Sequence, residues 1–491
     1  MPARKISWTS AAVCALAILQ LSTQALAAPF AETGDSQLRS DIEILAAAGV
    51  IDDVTTQWPF PWGGILYRLD LPEALAGQPQ YVADAAKRVR ARGKTETQTG
   101  QLRTSIDLDA TNSPATVRGF DALGRQTAQG QFVLDYIWPT TAVHLAAGAQ
   151  TTNRIDHQTL LLDGSYAAQR IGNAALYAGY MPHWWGPGWS TALSLSTNAR
   201  PFPQIGITRI DTTPFQSPLL SWMGPWQAEF FVGVLDGKRV ASNTLFNGLR
   251  LSINPLPGLE FALARAEQLC GTGHPCEPVA EFFNVYNDPT HVSKSKDEVD
   301  IDLRYTGKAF KLPYAVYTQV MNRDTGPFVH SDSSHLFGAS VWVPAGNDAI
   351  RLTAEYASTI STQSIFSFGH YAYGITYTDY KYVDGWQYRG RTLGSSLGGD
   401  SRLAMLQAGF TGDHGIAYTL TYDRAQIGSP DAPTANTVTT SPVAIDIVEG
   451  RMSFGLAKFS RIDLAARLQD DQPRPDRGFL AAIEATLRVA I

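Results

Sequence analysis

The side chains of this chain best suited to chemistry are aromatic, and they are concentrated. Trp184, Trp185, Trp189, Trp222 and Trp226 put five of the eleven tryptophans into one stretch running from Tyr180 to Trp226. Gly186-Pro187-Gly188 separates the second from the third; its glycines accept backbone angles closed to other residues, and its proline fixes one. Flat apolar rings held this way suit stacking on the apolar faces of sugars, with Asn198, Arg200 and nearby hydroxyls to bond sugar oxygens. The candidate polysaccharide-binding set is therefore Trp184, Trp185, Trp189, Asn198, Arg200, Trp222 and Trp226. The same residues support a structural reading, in which the rings form part of an aromatic girdle or pack a constriction.

Patterns for catalysis are missing. The chain contains no HExxH, no Walker loop and no GxGxxG opening a helix. His144, His330 and His335 could approach an Asp or Ser in space, as a barrel-embedded hydrolase requires, but spacing does not bring them together. Cys270 and Cys276 enclose Gly-Thr-Gly-His-Pro. In an exported protein that spacing closes a small disulfide loop; three ligands with His274 inside one turn fit zinc poorly. No enzyme activity, metal or cofactor is expected.

Export is indicated at the N-terminus. Arg4 and Lys5 precede an apolar stretch from Ala11 to Leu21, and Ala25-Leu26-Ala27 supplies a cleavage site, so residues 1–27 read as a signal peptide. Losing Arg4 and Lys5 makes the balance two charges more acidic than the −6 of the whole chain. No basic tract points to nucleic acid. After the signal there is no run of 18 apolar residues, which excludes ordinary membrane helices and leaves a secreted β protein or an outer-membrane barrel.

Periodicity chooses between these. Residues 28–97 read as a helical subdomain. One helix spans 36–49, with Ser36 able to cap it and Gly49 to stop it; the prolines of Trp58-Pro-Phe-Pro-Trp62 forbid regular structure; a second helical region covers about 72–91; and Gly93 to Gly100 reads as a linker. From Gln101 the period becomes 2. Leu102, Thr104, Ile106 and Leu108 alternate with polar residues, as do Phe132, Leu134, Tyr136 and Trp138, then Ile350, Leu352, Ala354 and Tyr356, and last the strand ending at Ile491. Long strands, Tyr and Trp at their apolar ends and a charged opposite face, of the kind a water-filled lumen allows, predict a transmembrane antiparallel β-barrel over 98–491, its lumen open or plugged. Room for a strand and connection every 20 to 24 residues gives roughly 16 to 18 strands. An even count places both barrel ends and the helical subdomain on the periplasmic side, with Gln268–Lys296 and Ile427–Pro442 as outward connections.

Several blocks resemble the Wzi-type capsule assembly family. They are Met181-Pro-His-Trp-Trp-Gly-Pro-Gly-Trp189, Leu195-Ser-Thr-Asn-Ala-Arg-Pro201, Ser221-Trp-Met-Gly-Pro-Trp226, Leu38-Arg-Ser-Asp-Ile-Glu43, Trp58-Pro-Phe-Pro-Trp-Gly63, Glu355-Tyr356, Gly385-Trp-Gln-Tyr-Arg-Gly-Arg-Thr-Leu-Gly394 and Asp400-Ser401. The resemblance implies an 18-stranded outer-membrane barrel behind a small N-terminal helical bundle. It also implies a lectin-like, non-enzymatic role in attaching capsular or other exported polysaccharide. The cysteine loop and the non-aromatic Ile491 depart from what the family and its barrels lead one to expect. Expected partners are capsular or exopolysaccharide and outer-membrane lipids including lipopolysaccharide, with no nucleic acid and the chain a monomer. A porin or substrate channel is the competing reading from the same polar lumen face.

Overall fold

The computed structural model describes residues 29–491, apart from 53, 72, 153–155, 277–294, 324–331, 413–415, 433–435, 458–459 and 474–476. The expected signal peptide and His330 lie outside the described residues.

The strand period dictates the architecture. Along Asp348–Thr362, Leu352 and Tyr356 are exposed while Arg351, Thr353 and Glu355 are buried. A sheet that turns apolar side chains outward and charged ones inward is the inverse of a soluble sandwich, and closing it into a barrel leaves no unpaired edge. Eighteen antiparallel strands do so. They are β1 Leu102–Thr111, β2 Ala128–Ile137, β3 Thr141–Gln150, β4 Tyr166–Ile171, β5 Ala174–Gly179, β6 Gln204–Arg209, β7 Trp226–Leu235, β8 Thr244–Leu256 and β9 Leu259–Leu269, followed by β10 Lys296–Ala309, β11 Leu312–Arg323, β12 Ser333–Ala345, β13 Asp348–Thr362, β14 Arg402–Thr411, β15 Ala417–Ile427, β16 Val443–Ala457, β17 Ser460–Gln469 and β18 Leu480–Ala490. Leu160–Leu161 and Tyr371–Ala372 add two-residue extensions to the wall. The seam pairs β18 with β1, from Glu484 opposite Thr111 to Ala490 opposite Ser105.

Among the described residues three helices precede the barrel: α1 Ser36–Ala47, α2 Trp62–Leu69 and α3 Gln80–Glu96. Asp35 rather than Ser36 caps α1, its Oδ1 accepting the Leu38 N–H at 2.9 Å; Ser36 is already the first helical residue. Gly49 stops the helix at φ +75°. Helix α2 starts where irregular chain was expected. Pro61 sits at its N-cap, where a missing N–H breaks no helical bond. Helix α3 runs on into the expected linker as far as Glu96, and at Gly93 a Cβ would stand 2.7 Å from Leu66 and 2.8 Å from Trp62. Glycine there lets α3 lie tightly on α2.

Ion pairs fasten these helices to one end of the wall. Arg88 clasps Asp41 of α1 at 2.7 Å and reaches Asp348 of β13 at 3.9 Å. Glu32 meets Arg488 of β18 at 3.2 Å, and Asp35 meets Arg461 of β17 at 3.1 Å. Burial pushes the Asp41 carboxyl up to about 6, Arg88 opposing the shift and Asp35 and Asp348 adding to it. At the far end lie the described parts of the long connections, including 270–276 and 436–442, both expected there, and 363–401, which was not. Cys270 and Cys276 are disulfide-bonded, with Cα atoms 4.3 Å apart.

The polar wall encloses inserted chain. Arg250, Glu260, Arg304 and Gln319 point inward and are shut off from solvent, because the helices enter from one end and the connection between β5 and β6 folds in from the other.

Candidate functional site

Residues 180–203 leave β5, cross the lumen and return to β6. Trp184 and Trp185 pair antiparallel with Trp58 and Gln57, and Trp185 bridges to Leu195, so a miniature sheet forms inside the barrel. Gly186 N–H donates to the Thr56 carbonyl at 2.9 Å. The Gly-Pro-Gly turn is then grasped by α1. Arg39 donates to the Gly188 carbonyl at 2.9 Å and the Pro187 carbonyl at 2.6 Å while its Nε holds Glu43 at 2.8 Å. Close approach explains the glycines: a Cβ at Gly186 would meet Gln319 at 2.7 Å, and one at Gly188 the Thr191 carbonyl at 2.3 Å.

The wall supplies matched polar partners from several sides. Glu355 of β13 accepts the Trp189 and Ser190 N–H groups at 2.6 and 2.8 Å, the Ser190 hydroxyl at 2.5 Å and the Tyr317 hydroxyl at 2.5 Å. Gln319 of β11 donates to the Trp185 carbonyl and accepts from Leu193 N–H. Glu260 of β9 accepts from Thr55 and Thr56, and Glu229 of β7 from Gln57 and Tyr177. Glu355, Glu260 and Glu229 thus each receive donors from inserted chain or from the wall, as a charge removed from water requires. The Trp189 ring has the Arg351 guanidinium 3.3 Å and the Arg39 guanidinium 4.3 Å from its centroid, both within cation–π range.

The same segment carries on to the outer connections. The Trp386 indole donates to the Ser194 carbonyl at 2.8 Å, and Tyr377 hydroxyl bonds the Leu193 carbonyl. The Asn198 amide donates to Thr392 carbonyl at 2.9 Å and its hydroxyl at 3.0 Å, while Arg200 pairs with Asp163 at 2.8 Å. Gly394 lies so close that a Cβ would stand 1.9 Å from the Leu193 carbonyl. The block 385–394 is therefore the lid that sits on 193–198.

This geometry divides the expected site. Trp184, Trp185 and Trp189 are buried, Trp184 and Trp185 at 0 % exposure. Phe120 packs edge-on against Trp184 at 5.5 Å and against Trp189 at 6.0 Å. A ring enclosed on both faces offers no stacking surface in this conformation. Asn198 and Arg200 are buried too, the Asn198 amide nitrogen held by Thr392 and the Arg200 guanidinium by Asp163 and the Leu160 carbonyl. Trp222 and Trp226 are elsewhere altogether, at the helix end, Trp222 in the β6–β7 connection and Trp226 at the start of β7. Trp226 stacks on Phe215 at 4.5 Å with Arg209 3.6 Å away, and Trp222 is 61 % exposed. His144 forms a cross-strand pair with Asp135 at 2.7 Å, and His335 meets Thr362 at 2.9 Å. The residues that sequence reasoning passed over are the wall partners Glu229, Glu260 and Gln319, each an ordinary polar position in a strand; Arg39 and Glu355 carried a signal only as parts of family blocks.

Comparisons with known proteins agree with this architecture. The capsule assembly protein Wzi family profile matches residues 97–473. An uncharacterized 55.8 kDa protein of the cps region of Klebsiella pneumoniae is 25% identical over 356 residues, covering 70% of this chain and 68% of that protein. Among solved structures, Wzi of Escherichia coli, an outer membrane protein involved in group 1 capsule assembly and described as a carbohydrate-binding β-barrel, superposes with a TM-score of 0.81. It shares 19% identity, over 94% of this chain and 99% of that one, a likeness of fold.

Proposed function

Because this chain belongs to the capsule assembly protein Wzi family, we propose that it is an outer-membrane, lectin-like barrel that binds capsular or other exported polysaccharide and holds it at the cell surface. The observation that carries this reading is the cross-braced lumen. Chain 180–203 is bonded to α1 below, to β10, β11 and β13 around it and to 377–394 above. A barrel filled in this way supports a surface that retains polymer over a pore that passes it.

On this reading the polymer meets the outer connections. Tyr380, 71 % exposed, has the Lys381 ammonium 5.3 Å from its ring, a pairing of apolar face and donor suited to a sugar ring. Trp184, Trp185, Trp189, Asn198 and Arg200 then act as positioning residues beneath that surface. Trp222 and Trp226 face the periplasmic end and serve the membrane interface. The chain works as a monomer, without cofactor or bond-making chemistry and without nucleic acid as a partner.

The test is polysaccharide binding by the purified protein, beside deletion of the gene. Binding is expected, and the deletion strain should shed polymer into the medium while still making it. Normal cell-attached polymer in that strain would sink the proposal. Sizeable steady conductance in planar bilayers would favour the channel instead.

A further inference from the structure

Arg402 opens β14 at the outer end of the barrel, where it pairs in register with Ser358 of β13. Leu403 and Met405 are buried while Leu406 is exposed, so even-numbered side chains of β14 point away from the lumen. Tyr371, paired with Thr362 in the wall extension, turns the same way, and the Arg402 guanidinium lies 5.0 Å from its ring. Among the described residues Arg402 forms no ion pair, and its Nε is closed to solvent without a hydrogen-bond partner. The contrast is on the next strand, where the outward Arg424 is matched by Asp446 at 2.9 Å.

Its height in the membrane is fixed by the strand. Phe410 and Tyr418, rings 6.5 Å apart, mark the other edge of the apolar face on β14 and β15. From Phe410 to Arg402 is about 27 Å along a strand and about 21 Å along the membrane normal at a tilt of about 40°. The apolar band of such barrels is about 25 Å tall, which puts the guanidinium at its outer edge. Just inside that edge Phe337 and Tyr356, opposite one another in register, are both exposed. Phe368 folds back from the 363–401 connection to within 6.2 Å of Phe337 and is exposed as well.

An unmatched cation above a lipid-facing aromatic surface has one complementary occupant at this position. We propose that the outward face of β12–β14 binds an acylated anionic glycolipid of the outer leaflet, Arg402 taking a phosphate and Phe337, Tyr356 and Phe368 its acyl chains. The proposal rests on the outer-membrane placement above and is independent of which polysaccharide the loops hold. Guanidinium matches phosphate in the two-pronged geometry that makes such pairs strong.

Purified full-length protein in nonionic detergent should be titrated with lipid A, with the same lipid A after phosphatase treatment, with phosphatidylglycerol and with inorganic phosphate. Wild type is expected to bind lipid A, and Arg402→Ala to weaken that binding about tenfold or more, the scale of one charge-assisted pair. Arg424→Ala should change it less than about threefold, because that guanidinium is already matched. Dephosphorylated lipid A should bind wild type as weakly as lipid A binds Arg402→Ala. Equal binding by Arg402→Ala and wild type, or displacement of lipid A by equimolar phosphatidylglycerol or inorganic phosphate, overturns the proposal. Heat-modifiable gel mobility reports folding, and Arg402→Gln takes the place of the alanine variant, under the same criteria, if that variant does not insert. Polysaccharide binding by Arg402→Ala should equal wild type. A wild type that binds lipid A and no polysaccharide refutes the capsule reading and leaves this one standing.

Discussion

Replacing Trp184 with alanine separates a ring that supports the site from one that touches sugar. Trp184 is fully buried, edge-on to Phe120, and its Nε1 donates to the Gly188 carbonyl at 3.0 Å. Truncating a buried Trp costs about 3 to 5 kcal/mol. The lower part of that range applies, because Gly188 keeps its second donor, Arg39, and no carbonyl is orphaned. At about 1.4 kcal/mol per decade, a cost of 3 to 4 kcal/mol shifts the packed-to-loosened ratio of segment 180–203 by two to three orders of magnitude. The barrel wall does not depend on this ring, since β5 and β6 pair with each other directly. The expected outcome is therefore a variant that inserts and migrates as a folded barrel, becomes sensitive to protease within 186–198, and loses polysaccharide binding in step with that sensitivity. Trp184→Phe, keeping the ring and losing one hydrogen bond worth about 1 kcal/mol, should stay close to wild type in both. A Trp184→Ala protein that resists protease like wild type yet has lost polysaccharide binding would falsify the supporting role.

Two further outcomes follow from buried charge. Glu355→Gln places an NH2 donor against either the Trp189 or the Ser190 N–H, leaving one backbone donor unpaired whichever way the amide turns, at about 1 to 3 kcal/mol; protease sensitivity of the segment should rise, less than with Trp184→Ala. Asp41 has its folded value raised to about 6 from 3.8, so its contribution to stability is fully present below about pH 4 and is lost as pH rises through 6, about 3 kcal/mol in all. The melting-temperature difference between wild type and Asp41→Asn should accordingly move against wild type between pH 4 and 6 and level off above 7; a difference constant across that range would show that Asp41 does not titrate there.

Much of the wall was legible because one physical rule governs it: lipid outside enforces an apolar residue at every second position, and Leu352, Ala354 and Tyr356 obey it. The lumen side was not. Asp, Glu, Arg and Gln on an inward face are equally suited to water or to inserted chain, and only Thr56, Arg39 and Trp189 in place decide between them. The tryptophans were identified by composition, yet composition does not state which side of a ring is free. Helix α2 was missed because Pro61 reads as a breaker until it stands at an N-cap. Trp222 and Trp226 were grouped with Trp184 by nearness in sequence, and strand β6 carries the chain to the opposite end of the barrel between them.

The ion pairs from Glu32 and Asp35 to β18 and β17 bear on the order in which the molecule is made. The seam joins residues far apart in the chain, Thr104 to the carbonyl of Ile491 across 387 positions, and bringing ends together over such a length costs about 5 kcal/mol of chain entropy. Strand β18 must find β1 across that separation for the cylinder to close. Glu32 and Asp35 hold carboxylates on the N-terminal unit where Arg488 and Arg461 of the closing strands dock. It thereby serves as an assembly jig, shortening the search that closes the cylinder around its cargo of indoles.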